Sequence, residues 1–137
     1  MDLARFVAAQ APLYDTALRE LTQGAKRTHW MWFVFPQVAG LGQSATARHY
    51  AIRDVDEARA YLAHPLLGRR YLECVTALGP HRGRSADSIM GVVDAMKLRS
   101  SLTLFDRAGA PAIVAETLKA LFDGPDHATL RLLGERT

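Results

Sequence analysis

The sequence has little cysteine: Cys74 is the only one among 137 residues, so no disulfide can form within the chain. Such cysteine usage is typical of a reducing compartment. The first residues include Asp2 and Arg5, where the core of a signal peptide would be apolar, and no apolar run is long enough to span a membrane. We therefore expect a cytoplasmic protein.

Several motifs of cofactor and metal sites are also missing. The five histidines, at positions 29, 49, 64, 81 and 127, show no H-x₃-H pairing, and a single cysteine makes a zinc site improbable. The patterns GxGxxG and GxxxxGK[ST] are absent, which argues against dinucleotide and P-loop sites of the usual kind. The sequence thus predicts no metal and no cofactor.

The composition is that of an ordinary globular protein, with 49% hydrophobic and 23% charged residues. The length predicts a single domain over residues 1–137, and no repeat or linker divides it. Lys and Arg exceed Asp and Glu by 17 − 14 = 3. This modest excess favours anionic partners without requiring nucleic acid.

The richest segment is the aromatic run, Thr28–Gln37, which holds both tryptophans and two of the five phenylalanines. Each large apolar side chain gains roughly 1.5–3 kcal/mol on burial, so the rest of the chain must supply a core around this run. Polar residues flank it: Lys26, Arg27, His29 and Gln37. A segment that is aromatic inside and polar at its rim can form a core, a pocket wall, or both.

Helical periodicity and capping residues dominate the remainder. The aromatic run could be a strand by composition, but no second strand candidate exists to pair with it, so we predict a short buried helix capped by Thr28. The fold prediction is all-α, without a sheet: eight or nine short helices in an irregular domain rather than a bundle. The residues predicted to begin helices are Asp2, Pro12, Thr28, Ser44, Asp54 or Asp56, Pro65, Ser85, Asp94, Pro111 and Asp126.

The helix predicted from Asp94 has an unusual polar row. At 100° per residue Leu98, Leu102 and Phe105 share one face, whereas Asp94, Lys97 and Ser101 lie within an arc of about 60° beside them. The same wheel places Arg99, Thr103, Asp106 and Arg107 toward solvent. Because an inward Lys–Asp pair is costly to desolvate, the row either satisfies a buried network or lines a cavity.

These segments carry a resemblance to a known family. The blocks that carry it are His29–Gln37 with Gly40–Gly42, Tyr50–Ile52, Glu57–Gly68 and Lys97–Phe105, and together they span nearly the whole chain. The sequence resembles the domain-of-unknown-function 1810 family, small bacterial proteins with a compact all-α fold. The resemblance implies a fold and no established activity.

The candidate site combines the aromatic run with the polar row. As catalytic candidates we take His29, because imidazole titrates near neutral pH, and Lys97 and Asp94, because their row points inward and could line a pocket. Structural roles compete: Trp30 and Trp32 can be core residues, His29 and Gln37 can anchor loops, and no nucleophile elbow supports Ser101 as a nucleophile activated by Lys97. The ligand-binding candidates are Lys26, Trp30, Trp32, Gln37 and Ser101.

Three functions follow from these candidates. The first is a pocket for a small anionic and partly aromatic ligand, such as a nucleotide or nucleotide-sugar, and whether the site also catalyses a reaction stays open. The second is a module that binds nucleic acid or another acidic partner through Arg69, Arg70, Arg82 and Arg84. The third is a non-catalytic interaction protein in which the polar row is only a buried network. The sequence does not predict the oligomeric state.

Overall fold

The computed structural model describes residues 2–134, and over that range it is all-α, as predicted. One turn of 3₁₀ helix, Gly79–His81, accompanies ten α-helices, slightly more than the eight or nine expected. Within residues 2–134 extended backbone pairs only once, in a parallel bridge between Val38 and Ile52. The helices are α1 (Ala4–Gln10), α2 (Tyr14–Gln23), α3 (Met31–Val34), α4 (Ala45–His49), α5 (Val55–Ala63), α6 (Leu67–Ala77), α7 (Ala86–Met90), α8 (Val92–Arg107), α9 (Ala112–Leu121) and α10 (His127–Leu132).

Four helices begin where the sequence placed a capping residue. The side chains of Ser44, Asp54, Ser85 and Asp126 each accept a hydrogen bond from the backbone N–H three residues later. Each bond satisfies one of the N–H groups that the first turn of a helix leaves without a partner. The starts of α4, α5, α7 and α10 are therefore fixed by local chemistry.

Four predicted helix starts were wrong. Helix α2 begins at Tyr14 rather than Pro12. Thr28 does not cap α3, which begins at Met31, because its hydroxyl donates instead to the Glu20 carboxylate at 2.8 Å. Helix α6 begins at Leu67 rather than Pro65, because the His64 imidazole Nδ1 accepts the N–H groups of Leu66 and Leu67. Helix α8 begins two residues before Asp94, at Val92.

The large apolar side chains of the aromatic run lie in the core, with one exception. Trp30, Met31, Phe33, Val34 and Phe35 are buried, whereas Trp32 is half-buried. The Tyr71 ring of α6 packs against Phe35 of this segment with centroids 5.6 Å apart, and Tyr71 packs in turn against Phe105 of α8 at 4.3 Å. Cys74 is buried among them, and burial raises the pKa of its thiol to about 12, so it packs as a small hydrophobe. The run forms both core and pocket wall.

Helix α8 is covered on more sides than its sequence suggested. Leu98, Leu102 and Phe105 are buried as predicted, but so is Thr103, which had been placed toward solvent. The Thr103 hydroxyl accepts the N–H of Asp126 at 2.9 Å, because the turn before α10 packs onto this face. A helical wheel predicts a single buried face, whereas two faces of α8 are buried.

The loop after the aromatic run is held in place by the Val38–Ile52 bridge. The N–H of Ile52 donates to the carbonyl of Gln37 at 2.8 Å, and the N–H of Ala39 donates to the carbonyl of Ile52 at 2.7 Å. These two bonds fix the backbone on either side of Val38 against the segment that leads into α5. The backbone of Gln37, at the end of the aromatic run, is therefore fixed in position.

Candidate functional site

A cleft of about 350 Å³ lies between α8 and the segment that follows α3. One wall comes from the aromatic run and its loop, the other from the first turns of α8, and the start of α10 closes one end. Its size falls at the lower end of the range for small-molecule pockets. The cleft is lined by Trp32, Gln37, Leu41, Gly42, Val93, Met96, Lys97, Arg99, Ser100, Asp126 and Ala128.

Lys97 and Trp32 are in contact in the lining of this cleft. The Lys97 Nζ lies 3.7 Å from the centroid of the Trp32 ring, well inside the distance at which a cation is attracted to an aromatic face. The Lys97 side chain is 20% exposed. An ammonium group is therefore held at the cleft surface, partly desolvated but open to a ligand.

The carboxylate of Asp94 contacts two lysines, Lys97 and Lys26. Its Oδ2 lies 2.8 Å from the Nζ of Lys26, and its Oδ1 lies 3.6 Å from the Nζ of Lys97. Lys26 is only 6% exposed, and its Nζ lies 4.8 Å from the centroid of the Trp30 ring. Two lysines thus share one carboxylate, which leaves one positive charge of the group unbalanced.

The residues of the polar row consequently differ in their surroundings. Lys97 lines the cleft, whereas Asp94, whose side chain is 21% exposed against 20% for Lys97, is outside the lining and pairs with the nearly buried Lys26. Ser101 is fully buried, and its hydroxyl lies 2.9 Å from the hydroxyl of Tyr71. The prediction that Ser101 binds a ligand does not agree with the structure. Ser101 lies one turn further along α8 than Lys97, and there the helix enters the core.

The remaining candidates of the aromatic run separate in the same way. Gln37 and Trp32 line the cleft. Trp30 is 1% exposed and its Nε1–H donates to Glu20, which makes it a core residue. His29 is exposed and lies outside the cleft lining, because the side chains on either side of it, Thr28 and Trp30, both turn toward Glu20.

Glu20 organises this segment, although its sequence context gave no sign of it. Its carboxylate accepts four hydrogen bonds, from the backbone N–H groups of Arg27 and Thr28, the Thr28 hydroxyl and the Trp30 indole. Burial alone would raise the pKa of Glu20, but these donors outweigh it and lower the pKa to about 2. The residue sits at the end of α2 and fixes the entry into the aromatic run.

Exposed apolar residues lie beside the cleft, and the sequence did not predict them as part of the site. Val93 and Met96 line the cleft yet are 65% and 67% exposed, and Val92 next to them is 64% exposed. Large apolar side chains clustered at the surface commonly mark a place where something binds. Their signal in the sequence was two valines and a methionine at the polar start of a helix.

The four arginines of the nucleic-acid hypothesis do not form one exposed set. The Arg70 guanidinium lies 4.5 Å from the centroid of the Tyr14 ring and is half-buried, and Arg82 donates to the hydroxyl of Thr117 at 3.0 Å. Arg69 and Arg84 are exposed. Three of the four proposed phosphate contacts are thus engaged within the fold, since the exposed Arg84 also donates to the carbonyl of Ser88 at 3.2 Å.

The described residues contain neither a metal-ligand cluster nor a membrane-spanning helix. Among residues 2–134 no group of three or more His, Cys, Asp or Glu side chains is placed to hold a metal ion. No helix in the same range has the length and apolar character needed to cross a bilayer.

Comparison with known proteins places the chain in a family. The model of the family described as "Protein of unknown function (DUF1810)" matches residues 1–133. The chain belongs to the DUF1810 family. The resemblance seen in the His29–Gln37 block is therefore confirmed for nearly the whole chain of this DUF1810 protein.

A solved structure is similar along its whole length. It is the crystal structure of the conserved hypothetical protein Rv1873 from Mycobacterium tuberculosis, which is 48% identical to this DUF1810 chain. The match covers 98% of each chain with a TM-score of 0.92. None of the curated proteins compared with this sequence matches it. The relatives therefore support the fold, and a function must be argued from the cleft.

Proposed function

We propose that this protein binds a small anionic ligand with a flat or ring-shaped part, such as a nucleotide or a nucleotide-sugar, in the cleft between α8 and the aromatic run. The observation that carries the proposal is the Lys97 ammonium, 3.7 Å from the Trp32 ring centroid and open to the cleft. An ammonium kept partly desolvated at a surface is better stabilised once an anion pairs with it.

The charges around the cleft favour an anion. Lys26 and Lys97 share one carboxylate, and Arg99 adds another cation to the lining. The one acidic residue of the lining, Asp126, is engaged through its Oδ2 with Ser100, the Thr129 hydroxyl and the Thr129 N–H. A phosphate or carboxylate entering the cleft would therefore meet more positive than negative charge.

The apolar part of the ligand has a separate seat. The ammonium of Lys97 already covers a face of Trp32, so a ring is better placed against Leu41, Val93 and Met96. Methionine adapts its shape and makes favourable contacts with aromatic rings. A bound ring would also cover two of the most exposed large apolar side chains of the protein.

The proposal is one of binding, and it includes no reaction. Of the three catalytic candidates, Lys97 is the one that belongs to the cleft lining. Asp94 and His29 are not among the lining residues. Lys97 therefore serves in this proposal as the anion-binding group.

Two lysine substitutions of identical chemistry test the division between network and cleft. Lys97→Met should change the free energy of unfolding by less than about 1 kcal/mol, because Asp94 keeps Lys26 as its partner. Lys26→Met removes the shorter contact of a nearly buried ammonium and should cost more, about 1.5–3 kcal/mol, the range for a hydrogen bond to a charged group. Chemical denaturation of both variants measures the difference, and Lys119→Met on the exposed face of α9 is the matched control.

The same variants test binding. Thermal melts with adenine and uridine mononucleotides and with nucleotide-sugars should show the wild type stabilised by at least one of them, by about 2.7 kcal/mol at a hundredfold excess over Kd. Lys97→Met should lose this stabilisation and Lys119→Met should keep it. Strong destabilisation of the free protein by Lys97→Met, with no ligand effect on the wild type, would contradict the proposal.

A further inference from the structure

A second hollow lies directly beside the cleft. This rear pocket has a volume of about 120 Å³ and is formed by the loop after α3 together with α4 and the residues that follow it. Arg48 and Tyr50 are among the residues of its lining. At about 30 Å³ per water molecule, the rear pocket has room for a few waters or one small polar group.

The cleft and the rear pocket share part of their lining. Trp32, Gln37 and Gly42 belong to both, so the half-buried indole stands at the boundary between two hollows. A side chain packed purely for stability would be surrounded by neighbouring atoms, because protein cores leave few voids. Trp32 instead separates two spaces that a single ligand could occupy together.

The boundary is thin and its backbone is fixed. A Cβ atom added at Gly42 would lie 2.6 Å from the Cβ of Ala47, so the loop can approach α4 this closely only without a side chain at that position. The backbone carbonyl of Gln37 is held by the N–H of Ile52, and Gln37, a residue type that carries a side-chain amide, lines both hollows. An amide both donates and accepts hydrogen bonds, as a linker between two ligand groups would require.

Each hollow also has a cation of its own. Lys97 and Arg99 line the cleft, and Arg48, which is exposed, lines the rear pocket. We propose that cleft and rear pocket form one bipartite site that takes a nucleoside diphosphate conjugate, with its ring and first phosphate in the cleft and its second phosphate in the rear pocket. This inference rests on the proposed function and narrows its ligand to one that carries a second phosphate.

Titration calorimetry with paired probes tests the inference. The pairs are uridine monophosphate with uridine diphosphate glucose, and adenosine monophosphate with adenosine diphosphate ribose. In one of the two pairs the conjugate should bind the wild type at least about tenfold more tightly than the monophosphate, the ratio that one charge-assisted hydrogen bond provides. Arg48→Ala should reduce that ratio to about twofold or less, since the second group loses its cation. Arg19→Ala, at an exposed arginine of α2, should keep the wild-type ratio.

The possible failures are distinct. If both members of each pair bind equally, or if Arg48→Ala leaves the ratio unchanged, the bipartite site is wrong while the anion-binding cleft stands. If no probe binds the wild type at all, the proposed function fails and the bipartite site fails with it.

Discussion

Glu20→Gln should lower the free energy of unfolding by about 3 kcal/mol at neutral pH, although it changes one terminal atom. The carboxylate accepts four hydrogen bonds around Arg27, Thr28 and Trp30, whereas a glutamine side chain has one acceptor oxygen and turns an NH₂ toward the other donors. The expected loss follows from the pKa, which falls from 4.5 to about 2 on folding, at 1.36 kcal/mol for each unit.

The pH dependence of this effect has a definite sign. A carboxyl group whose pKa is lowered in the folded protein stabilises it above the unfolded pKa, and this contribution disappears as pH falls through the folded value. The stability of the wild type should therefore approach that of Glu20→Gln between about pH 4.5 and pH 2. Urea denaturation across this range measures the difference, with Glu116→Gln on the exposed face of α9 as control. A difference that stays constant down to pH 2 would show that Glu20 is not the titrating group.

The two tryptophans should respond oppositely to truncation. Trp30 is 1% exposed and donates its indole N–H to Glu20, so Trp30→Ala should cost roughly 3–5 kcal/mol of stability. Trp32 is half-buried, with hollows on its borders, so Trp32→Ala should cost less than half as much while abolishing ligand stabilisation. Denaturation curves with and without a nucleotide separate the two effects.

A reversed order of these effects would contradict the assignment. If Trp32→Ala proved as destabilising as Trp30→Ala, the Trp32 ring would be a core residue and the cleft would have no functional wall. Phe122→Ala is a suitable reference, since Phe122 is a half-buried aromatic at the end of α9 and far along the chain from the aromatic run.

Much of the fold followed from local rules in the sequence. The caps Ser44, Asp54, Ser85 and Asp126 act on N–H groups three residues away, so their effect can be read from the sequence itself. Gly24 ends α2 in a left-handed conformation with φ of +71°, a role that glycine commonly has at helix C-termini. Errors arose where a distant partner competes, as when Glu20 engages the Thr28 hydroxyl.

The candidate site was predictable in part, for a related reason. Helical spacing correctly grouped Asp94, Lys97 and Ser101, but an angle on a wheel carries no information about depth along the helix. Lys97 lies at the cleft while Ser101, one turn further, contacts Tyr71 inside the core. The place of Val93 and Met96 in the site was not predictable from helical spacing. It depends on the loop from Gln37 to Gly42, which is distant in sequence and lines the same cleft.

The most direct measurement of the central claim uses the indole N–H signals of the two tryptophans in a proton–nitrogen correlation spectrum, assigned with Trp32→Phe. During titration with uridine diphosphate glucose or adenosine diphosphate ribose, the signal of Trp32 should move progressively. That of Trp30, held on Glu20 in the core, should stay in place. A Trp32 signal that stays fixed up to millimolar ligand, or a Trp30 signal that moves as far, would contradict the placement of the binding site in this cleft.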